Sequence, residues 1–356
     1  MNYEYWLDNT GLSNEKKRAL LEEFETAQDV YRQNPKEYKK IPDWKETDSR
    51  RIEQAKSSEK LRKQWEEMEK SGIHFCSCKD SVYPEKLKNI HHPPFALYYL
   101  GELPSECPGA AIVGARRCSE YGFYMAKKLG EALGKNGVSI ISGMAEGVDA
   151  AGHLGALKGG GRTYGVLGCG PDICYPRQNE QLYRELQKSG GVLSEFPPGT
   201  PPKPYFFPLR NRIISALADI VIVVEAKKKS GSLITADYAL EQGKEVYALP
   251  GRATDALSYG CNNLIRQGAG IILSVEEFLE ELDIVRIQRQ KIDKKRKLRL
   301  AKEESLVYSC LSVEAKSMEQ IVQETSLDIS TAAGALLRLQ TMGIVKESFR
   351  NFYIEE

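Results

Sequence analysis

The chain has 356 residues, enough for two or three domains, and its 41% hydrophobic and 28% charged composition is that of a globular protein rather than a disordered one. No apolar run approaches the roughly 18 residues that a bilayer span needs, and Met1-Asn-Tyr-Glu-Tyr5 has no signal-peptide pattern, so a cytoplasmic protein without membrane contact is expected. A net charge of +1 gives no whole-molecule attraction to polyanions, so any anion site has to be built locally.

Residues 1 to 71 are polar and helical in pattern. Leu61, Trp65 and Met68 fall on one helical stripe that stops at Gly72, which predicts an ordinary core-facing helix. Short strand-like runs follow at Ile73-His-Phe-Cys76 and Phe95-Ala-Leu-Tyr-Tyr-Leu100, separated by Tyr83-Pro84 and Pro93-Pro94. From Ala110 to Leu282 one device repeats: an apolar run, a turn often rich in glycine, a helix. The apolar runs are Ala111–Gly114, Val138–Ser142, Thr163–Leu167, Val192–Glu195, Ile220–Val224, Val246–Leu249 and Ile271–Leu273. Runs without polar alternation are buried on both faces, so the pattern predicts an α/β fold with a doubly wound parallel sheet over residues 72–285.

Residues 286–304 form a basic linker dense in Lys and Arg, read as a solvated connector. Residues 305–356 then read as helices, including Ser317–Val322 and Ser330–Leu339, followed by a hairpin from Ile344–Glu347 and Asn351–Ile354. That order is a winged-helix pattern. Its cations Arg338, Lys346 and Arg350 are few for duplex reading, which favours packing or protein contact.

The eight cysteines include no Cys-x-x-Cys spacing, so reduced thiols and no metal are expected, with Cys76 and Cys78 buried rather than ligating. Ligands of doubly wound sheets sit beyond the carboxyl ends of the strands, where the glycine-rich loops lie. Several of those loops carry cations: Gly114-Ala-Arg-Arg117, Tyr175-Pro-Arg177, Arg210-Asn-Arg212 and Lys227-Lys-Lys-Ser-Gly-Ser232. Arg presents a planar fork that fits phosphate oxygens, and Ser230, Gly231 and Ser232 add hydroxyl and backbone donors. Each of Arg210 and Arg212 could instead hold the sheet edge through an internal ion pair. Phe207, just before Arg210-Asn-Arg212, is the first choice among the nearby aromatics for stacking a base.

The site can therefore be a single-strand groove or a nucleotide enzyme using Asp149, His153 and Glu195. Residues 305–356 leave open a third reading, a duplex-binding regulator. Asp149 and His153 share a helical face, but the plainer reading has Asp149 serving the helix start and His153 packed behind it. No Gly-x-Gly-x-x-Gly or Gly-x-x-x-x-Gly-Lys-Ser/Thr stretch is present, so no cofactor is expected.

Val113-Gly-Ala-Arg116, Ser142-Gly-Met-Ala-Glu-Gly-Val-Asp149, Tyr175-Pro176, Ser194-Glu195, Phe207-Pro-Leu-Arg-Asn-Arg-Ile-Ile214, Ser230-Gly-Ser-Leu-Ile-Thr235 and Leu249-Pro-Gly251 occur in one order. In this the chain resembles the bacterial DNA-processing protein A family, also called Smf, over residues 72 to 282. The resemblance implies an extended Rossmann domain that binds single-stranded DNA without catalysis, preceded by a sterile-alpha-motif-like helical domain and followed by a winged helix. It further implies loading of the RecA recombinase in natural transformation, and a homodimer formed near Asn262, Leu264 and Ile265. It assigns DNA contact to Arg116 and Arg177 and places Phe207 and Ser230 in the same pocket; together with the cationic and glycine-rich loops, the expected DNA-binding set is Gly114, Arg116, Arg177, Phe207, Arg210, Asn211, Arg212, Lys229, Ser230, Gly231 and Ser232. Ala115 stands where the family pattern has serine, and Gly152 where it has alanine.

Overall fold

The computed structural model describes residues 2–57, 59–104, 107–282, 302–311, 316–325, 327–341, 345–349 and 352–355. Met1–Leu282 and Asp283–Glu356 form two compact units, and the boundary expected at residue 71 falls inside the first.

Five helices open the first unit: α1 (Tyr3–Asp8), α2 (Asn14–Phe24), α3 (Ala27–Arg32), α4 (Glu46–Lys56) and α5 (Glu59–Lys70). Asn2, Ser13 and Thr26 cap the first three by accepting from the backbone N–H three residues on, which satisfies donors that a helix start leaves open. Trp6, Leu20, Val30, Tyr38 and Ile52 form their core together with Phe95 and Ala96 of the sheet edge. Polar groups lock the same joint. Asp8 accepts from Lys17 Nζ at 2.7 Å and from the Tyr98 hydroxyl at 2.6 Å. The Leu61–Trp65–Met68 stripe faces inward, with Trp65 edge-on to Tyr5 at 4.9 Å and Met68 buried.

Nine strands form one sheet among the described residues: β1 (His74–Ser77), β2 (Ala96–Gly101), β3 (Gly109–Val113), β4 (Ser139–Gly143), β5 (Thr163–Val166), β6 (Gly190–Ser194), β7 (Ile220–Val223), β8 (Glu245–Ala248) and β9 (Gly270–Ile271). Their spatial order is β1-β2-β6-β5-β4-β3-β7-β8-β9. The seven strands from β3 onward are mutually parallel where they pair, and β1 and β2 add an antiparallel margin beside β6. All seven apolar runs of the sequence are therefore strands.

The connecting helices are α6 (Glu120–Lys135), α7 (Val148–Lys158), α8 (Glu180–Ser189), α9 (Phe206–Leu217), α10 (Gly231–Glu241) and α11 (Tyr259–Arg266), with α12 (Val275–Glu281) closing the unit. Strand β3 shows why both sheet faces are covered. Ala111 and Val113 join a core with Ile213 of α9 and Ala236 of α10, while Ile112 between them meets Gly152 of α7. From β3 the chain winds through β4 to β6 on one side. It then crosses to β7 on the other side of β3, so the winding reverses between β3 and β7.

The second unit has helices Lys302–Cys310, Met318–Thr325 and Ile329–Thr341 and a three-stranded antiparallel sheet of Lys316–Ser317, Phe352–Glu355 and Val345–Phe349. Val307, Tyr308, Ile321, Leu336, Leu339 and Val345 make its core. Arg338 is held by Glu304 at 2.7 Å. Residues 286–301 of the basic linker, and Arg350, lie outside the described residues.

Candidate nucleic-acid interface

The reversal between β3 and β7 opens a crevice at the carboxyl ends of those strands, the place where doubly wound sheets take ligands. The cleft there has a volume of about 410 Å³ and is walled by residues 113–117 after β3, the start of α9, and residues 227–235 after β7. A smaller hollow of about 140 Å³ adjoins it and shares Arg116, Ala145, Phe207 and Arg210.

Loop geometry after β3 depends on two glycines. At Gly147, where φ is +76°, an added Cβ would lie 2.4 Å from the Ala115 carbonyl oxygen and 2.5 Å from that of Arg116. At Gly114 it would lie 2.7 Å from a methyl of Val148. The loop thus seats directly on the start of α7, which turns Arg116 and Arg117 outward, where both are exposed. Across the cleft Lys227 and Lys229 are also exposed. None of these four cations forms an ion pair among the described residues.

Besides α9, the helices α6, α7 and α10 start nearby, and of these three only α10 has an open start. At α6, Glu225 accepts from the Ser119 N–H at 2.8 Å and from its hydroxyl. At α7, the Val148 N–H donates to the Ala115 carbonyl. At α10, Ser230 makes no cap bond; its hydroxyl lies 2.8 Å from that of Ser232, and Gly231 meets open space. The Gly231 and Ser232 N–H groups have no partner among the described residues and belong to the cleft wall beside Lys229, an arrangement suited to an anion. Asn211 fixes this wall by donating to the Gly231 carbonyl at 3.3 Å.

Phe207 is half-buried between the two hollows. Arg116 lies 5.4 Å and Arg210 6.0 Å from its ring centre, and the Tyr175 ring is 5.5 Å away at 32°. Tyr175 is the more exposed ring, at 43%. Its position beside the small hollow was not singled out from sequence. Asn179 holds its loop by donating to the Met144 carbonyl at 2.8 Å. Arg117 and Lys227, which the sequence places in cation-bearing loops but not among the expected DNA contacts, also line the cleft.

Two arginines depart from the expectation. Arg212 is buried with Glu195 in a two-pronged pair, at 2.8 and 2.6 Å, and also donates to the carbonyls of His92 and Leu209. It ties α9 to the end of β6 and to the loop before β2, and it is absent from the cleft. Arg210 does line the cleft but is itself buried, donating to the Val166 carbonyl and sitting beside Asp149. Burial lowers its pKa to about 10, with Asp149 opposing the shift, so it stays charged as part of the wall rather than as a free arm. Arg177 is exposed and lines neither hollow. Leu264, expected at a dimer contact, belongs to its own protomer's core; Asn262 is bonded both ways to the Gly251 backbone, and Ile265 is half-buried.

Asp149, His153 and Glu195 do not act together. Burial raises the Asp149 carboxyl to about 6, offset in part by Arg210. His153 Nδ1 is 2.6 Å from Thr163 Oγ1, whose own hydroxyl donates to the Ile140 carbonyl, so Nδ1 carries the proton. Its Nε2 is buried without a partner, and burial lowers the ring to about 3. The imidazole is thus a neutral core group, and Glu195 is taken by Arg212.

Residues 74–283 match the family described as DNA recombination-mediator protein A. The chain belongs to this family. Protein Smf of Synechocystis sp., a relative, is 36% identical over 318 residues, which cover 79% of this chain and 80% of that protein. The X-ray structure of DNA processing protein A from Streptococcus pneumoniae matches with a TM-score of 0.69 and 35% identity, covering 79% of this chain and 98% of that one. The Helicobacter pylori DNA processing protein A, whose structure was described for its single-stranded DNA binding mode, matches with a TM-score of 0.53 and 32% identity, over 59% and 95%. The motif resemblance and the largely parallel sheet agree with these matches. Among the described residues, no helix is long and apolar enough to cross a membrane.

Proposed function

We propose that this chain binds and protects single-stranded DNA without regard to sequence and without catalysis, and hands the strand to a RecA recombinase during natural transformation or homologous recombination. The observation that carries the reading is the cleft at the winding reversal. Four exposed cations surround an open helix start, and the carboxylate within the cleft wall, Asp149, is buried against Arg210. A string of phosphates fits such a wall better than a single compact anion. Arg116, Arg117, Lys227 and Lys229 hold backbone oxygens, Ser230 to Ser232 add hydroxyl and N–H donors, and Tyr175 with Phe207 offers ring surface to a base. The membership above and the described property of the Helicobacter pylori protein support the same reading.

A homodimer is proposed through the far end of the sheet. Leu264 serves there by stiffening α11, and exposed Ile271 and Leu273 supply apolar surface. The second unit is proposed as a winged helix that contacts protein, since Arg338 is already engaged by Glu304.

The test is a titration with an oligothymidine, a duplex and free nucleotides at two salt concentrations. If the four cations each neutralise one phosphate, log K falls against log salt with a slope of about −3, taking roughly 0.7 per contact. Affinity that does not change with salt, or a preference for duplex or mononucleotide, removes the proposal.

A further inference from the structure

Beyond Arg117 and Lys227 the surface opens into a second cleft of about 1080 Å³, and these two residues line both hollows. Its floor is the segment after β8, residues 249–258, and its far wall is the first turn of α6. Three cations face it: Arg117, Lys227 and Arg252. Arg252 is exposed and forms no ion pair among the described residues. Of the two carboxylates in the lining, Glu225 is buried and spent on Ser119, which leaves Asp255 as the exposed one. Positive charge therefore exceeds negative where a ligand would lie. Tyr121 stands on the rim with 54% of its surface exposed, as a platform that no neighbouring ring covers among the described residues.

We infer that the bound strand does not end at the winding reversal but runs over the Arg117–Lys227 ridge into this second cleft, where Arg252 holds a phosphate and Tyr121 stacks a base. The inference rests on the single-strand reading proposed above. Cations and an aromatic platform alternating along one continuous trough are what a flexible polyanion with flat bases needs, and sequence tolerance follows because every base has a π-face. An acidic protein segment would use the cations but gain little from a lone exposed ring.

The full chain is titrated by fluorescence anisotropy with oligothymidines of about 4 and about 16 nucleotides, the range that one single-strand-binding fold covers. The long oligomer should bind more tightly than its extra registers explain. Arg252→Gln and Tyr121→Ala should each weaken the long oligomer about fivefold or more while leaving the short one unchanged, and Arg252→Gln should flatten the salt slope for the long oligomer by roughly 0.7. Both side chains are exposed, and an unchanged Tm verifies that folding is intact. Equal losses on both lengths, or no loss on the long one, overturn the second cleft while the first stands. Failure of the unmodified chain to bind either length overturns the single-strand reading itself.

Discussion

Arg116 and Arg212 carry the same guanidinium into opposite surroundings, so their replacement separates binding from stability. Arg116 is exposed at the cleft, and Arg116→Ala should weaken every single-stranded sequence alike, roughly tenfold, because phosphate contacts position a strand without reading it. Arg212→Ala leaves Glu195 buried without its partner and should cost about 3–5 kcal/mol in chemical denaturation, with the salt slope of DNA binding unchanged. A flattened slope in that variant would mean that Arg212 does reach the strand. His153 sets a pH dependence. Its ring titrates near 3 in the folded protein against an ordinary value of 6.5, so the unfolded chain takes up the proton first. Stability from this group is complete above pH 6.5 and is lost as pH falls from there toward 3, amounting to about 2 kcal/mol at pH 5. Asp149 runs the other way, its raised carboxyl costing stability as pH climbs toward 6, but it is present in both proteins of the comparison. The Tm of His153→Gln should therefore drop less between pH 7.5 and pH 5 than that of the unmodified chain.

At the level of elements, two glycines at helix starts make contrasting predictions. Gly147→Ala places a methyl against the Ala115 and Arg116 carbonyls at positive φ and should lower stability by more than about 1 kcal/mol. Oligothymidine affinity should fall with it, since the loop that aims Arg116 has to move. Gly231→Ala meets open space and has no strained φ, so the Tm should hold while affinity drops, because the methyl occupies the ground before the open start of α10. The parallel strands β3 to β8 were legible because a strand covered on both faces is written as an apolar run, whereas β9 is a two-residue edge strand with Ile271 exposed and was legible only from the repeating order of strand and helix. Lys316–Ser317 was not legible, being too short to carry a period. The inward turn of Arg210 and Arg212 was equally hidden. Both lie in the second turn of α9, but the partners that draw them in, the Val166 carbonyl and Glu195, come from strand ends that meet α9 only in the folded sheet. Leu264 shows the same limit: one side of α11 faces the core, and sequence near a glycine-rich loop does not say which.

For the whole molecule, Met1–Leu282 carries its own cores and the entire cleft, so a chain ending at Leu282 should bind oligothymidine with unchanged affinity, and loss of binding would move part of the site into the second unit. That the cleft lies beyond the carboxyl ends of the parallel strands was readable from the alternating β and α units and their glycine-rich loops, but which strands flank it was not, because alternation does not set the strand order. The charge balance of the cleft was not readable, because two of the arginines that looked available are paired inside. The reversal also makes the site a joint between halves of the sheet that the chain builds at different times. Residues 113–117 come from the early half and residues 227–232 from the late one, and a strand lying between them works as a clasp. Loaded protein should then resist heat better than empty protein, by about 2.7 kcal/mol when free oligomer is a hundredfold above Kd. Since the grip is ionic, that protection fades as salt rises, and thermal tolerance becomes a direct gauge of how much of the protein is holding DNA.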